Sequence, residues 1–94
     1  MMSQAQDVRD NTAEHRFELT VDDALAYAAY RLDSDRIAFV HTVVPAQIEG
    51  RGVASDLIRA ALDSARDRGL TVVAECSFVA GYIDRHPEYR DLLA

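Results

Sequence analysis

The spacing of apolar residues changes once along this chain, at Pro45, and that change limits the folds open to it. Before it, Phe17, Leu19 and Val21 alternate with Arg16, Glu18 and Thr20, a period of two that suits a strand with one buried face. After it, Val53, Ala54, Leu57, Ile58, Ala61, Leu62 and Ala65 recur along one helical face, with Asp56, Arg59, Asp63 and Arg66 opposite. Pro45 has no N–H to give a ladder, so a strand reaching it ends there. Strands, an amphipathic helix and then a further β-branched run after Gly69 follow one another, which predicts an α/β domain.

The remaining punctuation fills in that order. Asp22-Asp23 supplies turn chemistry after the first strand. Residues 24–32 (ALAYAAYRL) are ambiguous, since alanines favour helix while tyrosines and a short span between turns suit a strand. The polar turn Asp33-Ser34-Asp35, leading into the β-branched and aromatic run at 37–44, favours the strand and predicts a three-stranded antiparallel meander. A helix from Val53 is expected to stop at Gly69, with an Arg59/Asp63 pair on its outer face. Residues 70–76 (LTVVAEC) read as a strand reached through that crossover helix, which makes the last pair parallel. Ser77 is expected to N-cap a short helix through about Arg85, because His86 precedes Pro87 and favours an extended backbone. Residues 1–13 carry no periodic apolar positions and read as a disordered tail before a single domain at 14–94, and residues 88–94 as a loosely docked end.

Composition excludes several functions. Sixteen acidic residues stand against ten basic ones, all Arg and without a run, so the chain lacks the patch that nucleic acid or an anionic membrane surface requires. One cysteine, Cys76, excludes an intrachain disulfide framework and a zinc site on paired thiolates, and fits a reducing cytoplasm. Residues 1–13 hold no apolar signal core, and no stretch approaches the ~20 apolar residues of a membrane span. Asp22, Asp23, Asp33 and Asp35 are expected to serve turns, not a metal. At 94 residues the core is small, so a ligand or second subunit would add useful stability, and the oligomeric state stays open.

The chemistry concentrates after Pro45. A glycine-containing loop between a strand and a helix presents backbone N–H groups at the positive end of the helix dipole, where a phosphate can sit. Gln47-Ile48-Glu49-Gly50-Arg51-Gly52-Val53-Ala54 has that layout, with Arg51 favouring an anion and Glu49 opposing it. Two glycines chosen only for turn geometry would give the same spacing.

The pattern Gln47-x-x-Gly50-x-Gly52, between Val43-Val44 and an amphipathic helix, resembles the pyrophosphate loop of the GCN5-related N-acetyltransferase superfamily. His41-Thr42-x-Val44-Pro45, Cys76-Ser77-Phe78-Val79 and Tyr82-Ile83-x-Arg85-His86-Pro87-Glu88-Tyr89 are similar to its small YjdJ-type branch, over residues 17 to 89. The resemblance implies a minimal α/β fold of this superfamily: an antiparallel meander, a β-loop-α-β unit with a parallel pair, and a short C-terminal helix. It implies acetyl-CoA as cosubstrate and an amine as acceptor. The cofactor residues would be Gln47, Glu49, Gly50, Arg51, Gly52, Val53 and Ala54 at the pyrophosphate, Thr42, Val43 and Val44 along the pantetheine, and Phe78 beside the thioester. The chain lacks the extra helices and C-terminal strands that wall the acceptor site in larger members, so a non-catalytic CoA-binding regulatory or interaction module is the alternative.

Three residues are candidates for catalysis. Cys76, just before a helix, is either a thiolate that accepts the acetyl group, as the resemblance implies, or a small buried hydrophobe. His41 is either a base for Cys76 or for the incoming amine, or a packed histidine sharing a face with Ile37, Phe39 and Val43. Tyr82, one turn after Phe78, either protonates the departing CoA thiolate, a role the resemblance implies, or packs in the core.

Overall fold

The computed structural model describes residues 7–94. A five-stranded sheet runs in the order β1 (Arg9–Asn11), β2 (Arg16–Val21), β3 (Ala24–Asp33), β4 (Arg36–Val43) and β5 (Thr71–Ala74). The first four strands are antiparallel and β4 pairs with β5 in parallel, as the crossover predicts. Helix α1 (Val53–Asp67) makes that crossover, and α2 (Ser77–Arg85) follows β5. Short 3-10 turns cover Ala46–Ile48 and Pro87–Leu92. No helix among the described residues is long and apolar enough to cross a membrane.

The ambiguous segment is the central strand β3, and its alanines have a packing reason. Ala24, Ala26, Ala28 and Tyr30 are buried while Leu25, Tyr27 and Ala29 are half-buried, so the period is two. The buried alanines join one core with Leu57, Ile58, Ala61, Leu62 and Ala65 of α1. Small side chains on the strand let the helix lie close, and the burial of each leucine or isoleucine above them contributes about 1.5–3 kcal/mol. Asp22 and Asp23, at φ 50° and 64°, both take the left-handed conformation of a two-residue type I′ hairpin. The next loop is also two residues, not three, because Asp33 pairs with Arg36.

Four local expectations are overturned, the first three by polar contacts. The expected tail contains β1, whose Arg9 and Asn11 both donate to the Glu18 carboxylate, at 2.9 and 3.0 Å, while Asp10 accepts from the Tyr30 hydroxyl. Hydrophobic periodicity cannot register such anchors; residues 1–6 of that tail lie outside the described residues. The end of the chain is docked: Tyr89 and Leu92 are buried, Tyr89 donates to Asp63 at 2.7 Å, and Ala94 N–H donates to the Val72 carbonyl at 3.1 Å. With Asp63 engaged by Tyr89, Arg59 pairs with Asp56 instead, at 2.9 Å. Cys76, not Ser77, is the N-cap of α2.

Glu18 is the one buried charged residue among those described. Hydrogen bonds from Arg9 and Arg16, the latter at 2.6 Å, hold its carboxyl down to about 2 from an ordinary value of 4.5. A depressed carboxyl stabilises the fold fully above the unfolded value and loses that contribution as pH falls through the folded one. Glu18→Gln is therefore expected to cost about 1–2 kcal/mol at neutral pH, with the gap to the parent closing toward about pH 2. Denaturant titrations along that pH range check it, and parallel curves for the two proteins refute it.

Candidate functional site

The site begins with an irregularity in β4. Tyr30 pairs with Phe39 but Ala29 pairs with His41, so Val40 is an extra residue with no partner on β3. The bulge resets the alternation: Phe39 is buried, Thr42 lies opposite the buried Ala28, and His41 and Val43 turn outward. On the other side of β4, the parallel register ends at Phe39↔Ala74. The Phe39 carbonyl accepts both the Glu75 and Cys76 amides, at 3.1 and 2.9 Å, and the chain turns away into α2. From Val40 onward β4 therefore has a strand on one side only.

That gap opens into a groove of about 630 Å³. Thr42, Val43 and Val44 form one wall and Phe78, on the first turn of α2, another. The loop after Pro45 closes the far end with Ile48, Glu49, Gly50 and Gly52. Gly50 and Gly52 have φ of 78° and 74°, and a Cβ on either would meet nothing within 4 Å, so conformation alone selects glycine there. Gly52 caps α1 without any side-chain bond. The first bond inside α1 is Asp56 N–H to the Gly52 carbonyl, so the amides of Val53, Ala54 and Ser55 have no intrahelical acceptor. All three residues line the groove, and no basic residue does.

Most of the residues singled out for cofactor binding thus meet in one place: Thr42, Val43, Val44, Glu49, Gly50, Gly52, Val53, Ala54 and Phe78. Gln47 and Arg51 do not join them. Gln47 is exposed, and its neighbour Ile48, fully buried, lines the groove in its stead. Ile48 is the one large apolar residue between Pro45 and Val53, a signal that it would anchor the loop. Ser55 was also missed, although counting amides from the start of the helix would have found it. Arg51 turns to Asp22 on the β2–β3 turn, at 2.6 Å.

The catalytic candidates divide. Cys76 is buried below the groove wall, with Sγ 3.5 Å from the Thr42 hydroxyl. Burial pushes its thiol up, but the Thr42 hydroxyl and the amides of Val79, Phe78 and Thr42 outweigh it, and the net shift is downward from 9.0. The amides act on the sulfur without completing a side-chain cap bond. His41 is exposed on the opposite side of the sheet, its ring edge-on to Tyr27 at 5.9 Å, because the bulge has turned it from the face of Phe39. It therefore does not pack as expected, nor does it meet Cys76. Tyr82 lies in the core, stacked on His86 at 4.0 Å and outside the groove, and burial raises its hydroxyl.

A family model described as GCN5-related N-acetyl-transferase matches residues 16–92, a span that includes every wall of the groove. The chain belongs to that family. A GCN5-like protein from Staphylococcus aureus, whose structure was determined by NMR in solution, is similar along nearly the whole chain. It shares 30% identity over 99% of this chain and 91% of its own, with a TM-score of 0.73. Members of the GCN5-related family generally transfer acetyl groups to nitrogen with acetyl-CoA as cosubstrate. In this member the glycine loop and the free amides of α1 stand beside the unpaired side of β4. Among the described residues no cluster of three or more His, Cys, Asp or Glu has the arrangement to hold a metal ion.

Because Gly52 is required by its backbone and not by space, Gly52→Ala is expected to cost about 1–2 kcal/mol and Gly52→Asn less. Chemical denaturation of both variants checks the order; equal costs would point to a steric cause.

Proposed function

We propose that the groove binds acetyl-CoA and that the protein transfers its acetyl group to a primary amine. The observation that carries this reading is the meeting of two unsatisfied backbone surfaces in one groove, the amides of Val53, Ala54 and Ser55 and the unpaired side of β4 after Phe39. The first suits a pyrophosphate, because unpaired amides at the start of a fifteen-residue helix carry partial positive charge. The second suits the amides of a pantetheine arm, which would pair along Thr42, Val43 and Val44 as an added strand. The groove would hold the arm with its thioester toward Phe78 and Thr42.

Direct attack by a neutral amine on the thioester carbonyl forms the amide and releases CoA as its thiolate. In our reading His41 accepts the proton of an amine approaching across the outer face of the sheet, where the imidazole is exposed. The single cysteine, unpaired and buried, supports a reducing, cytoplasmic setting.

A covalent route is favoured by one observation, the position of Cys76 at the N-cap of α2 with its Sγ 3.5 Å from the Thr42 hydroxyl. There the Cys76 thiolate attacks the thioester, CoA thiolate leaves, and the amine then displaces the acetyl group from sulfur.

Calorimetric titration of acetyl-CoA tests the site. Ala54→Glu places a carboxylate among the free amides and is expected to weaken binding at least about tenfold. A folded parent that does not bind acetyl-CoA overturns the proposal, and binding without CoA release in the presence of pooled amines reduces it to a binding module. Cys76→Ala separates the routes: persistent turnover supports direct attack, whereas loss of turnover together with an acetyl adduct on the parent, seen by mass spectrometry, establishes the covalent one.

A further inference from the structure

The groove meets the phosphates of its ligand, in the reading proposed above, with backbone amides and no cationic side chain. No basic side chain lines it, and Glu49 adds a negative charge to its wall. The cation adjacent to it in sequence is Arg51, set between two glycines that both line the groove. Its side chain leaves the groove, and Nη1 bonds the Asp22 carboxylate at 2.6 Å.

Three features make that ion pair exchangeable. Both partners are exposed, with 44% of the Arg51 side chain and 69% of the Asp22 side chain accessible, so water screens the pair and it holds weakly. Asp22 sits at φ 50° in a two-residue hairpin turn fixed by ten- and six-residue strands, so its carboxylate is held in place beside the loop. The flexible member is the arginine, whose planar guanidinium matches a phosphate as well as a carboxylate.

We propose that Asp22 occupies Arg51 in place of a ligand phosphate, so that binding in the groove exchanges one anionic partner of Arg51 for another. The inference rests on the reading of the groove as a site for acetyl-CoA. Asp22 then sets affinity: it keeps the guanidinium at the mouth of the site but makes every phosphate contact compete with a built-in carboxylate. Recognition by fixed amides gives the groove its specificity for a phosphate-bearing ligand, and the Asp22 contact keeps that ligand from binding too tightly to turn over.

A double-mutant cycle tests the exchange, with acetyl-CoA as the titrant and the dissociation constant as the readout. Asp22→Asn keeps a residue that tolerates positive φ and is expected to tighten binding about threefold to tenfold. Asp23→Asn removes the same charge one residue away and is expected to change binding less than about twofold. The cost of Arg51→Ala is expected to rise at least about threefold when Asp22 is already Asn. Thermal unfolding of each variant establishes that it is folded. Equal costs of Arg51→Ala in both backgrounds overturn the exchange, as does equal tightening by Asp22→Asn and Asp23→Asn, or weakening by Asp22→Asn. A folded parent that does not bind acetyl-CoA at all overturns the underlying reading of the groove, a result distinct from each of these.

Discussion

One carbonyl oxygen decides the shape of this protein. At Phe39 it accepts two successive amides, from Glu75 and Cys76, and so ends the parallel pairing of β4 and β5 after four residue pairs. A parallel strand that continued would have covered the whole length of β4, and the chain would have had no reason to open. Because it turns away, α2 begins beside β4 instead of beyond it, with Phe78 facing Val43 and Val44 across the gap. The bulge at Val40 completes the effect by turning Thr42 toward Cys76 and His41 away from it. A groove therefore forms in a domain too small to enclose a cavity, from the failure of two strands to finish pairing.

The features legible in the sequence are those carried by periodicity and by glycine. The change of period at Pro45 gave the order of strands and helix, and the left-handed conformation needed at Gly50 and Gly52 gave the loop. The loop side of the groove followed from these, except at Ile48 and Ser55, whereas Thr42, Val43, Val44 and Phe78 entered through the resemblance to the acetyltransferase superfamily. What was illegible depends on single polar contacts between distant residues. Glu18 recruits β1, Tyr89 takes Asp63 from Arg59, and Asp22 takes Arg51 from the groove. Each is a choice among several partners of similar strength, made by the tertiary arrangement and not by any local pattern. The bulge is illegible for a related reason: one extra residue inverts every side chain after it, so strict alternation misplaced His41 by one face.

The orientation of α1 links these polar contacts to the groove. A helix offers its first amides to a ligand only if its axis is held, and one face of α1 is buried in the common core. A polar hold is added at the C-terminal end. Arg66, in the last turn, takes both oxygens of Asp91 at 2.8 and 3.0 Å and the Glu88 carbonyl at 2.8 Å, while Tyr89 reaches Asp63. The Pro87–Leu92 turn that carries Glu88, Tyr89 and Asp91 is itself tied to β5 through Ala94 and Val72. The C-terminal segment, which has no residue in the groove, is thus what fixes the far end of the helix whose near end forms it.

This arrangement also resolves an apparent conflict of charge. A chain with a net charge of -6 is a poor receptor for an anion if recognition depends on its average field. The field at the groove is not the average one. Its partial positive charge comes from amides directed along the helix axis, and no described carboxylate takes their hydrogen bonds: Asp56 pairs with Arg59, Asp22 pairs with Arg51, and Glu49, although it lines the groove, bonds none of the three. Ion pairs worth little to stability therefore do something else here. By occupying Asp56 and Asp22, they leave the amides of Val53, Ala54 and Ser55 as free donors in the groove. A lysine-rich loop would attract any polyanion; under the proposed reading, donors fixed in direction by a helix axis would select one whose phosphate oxygens arrive along it.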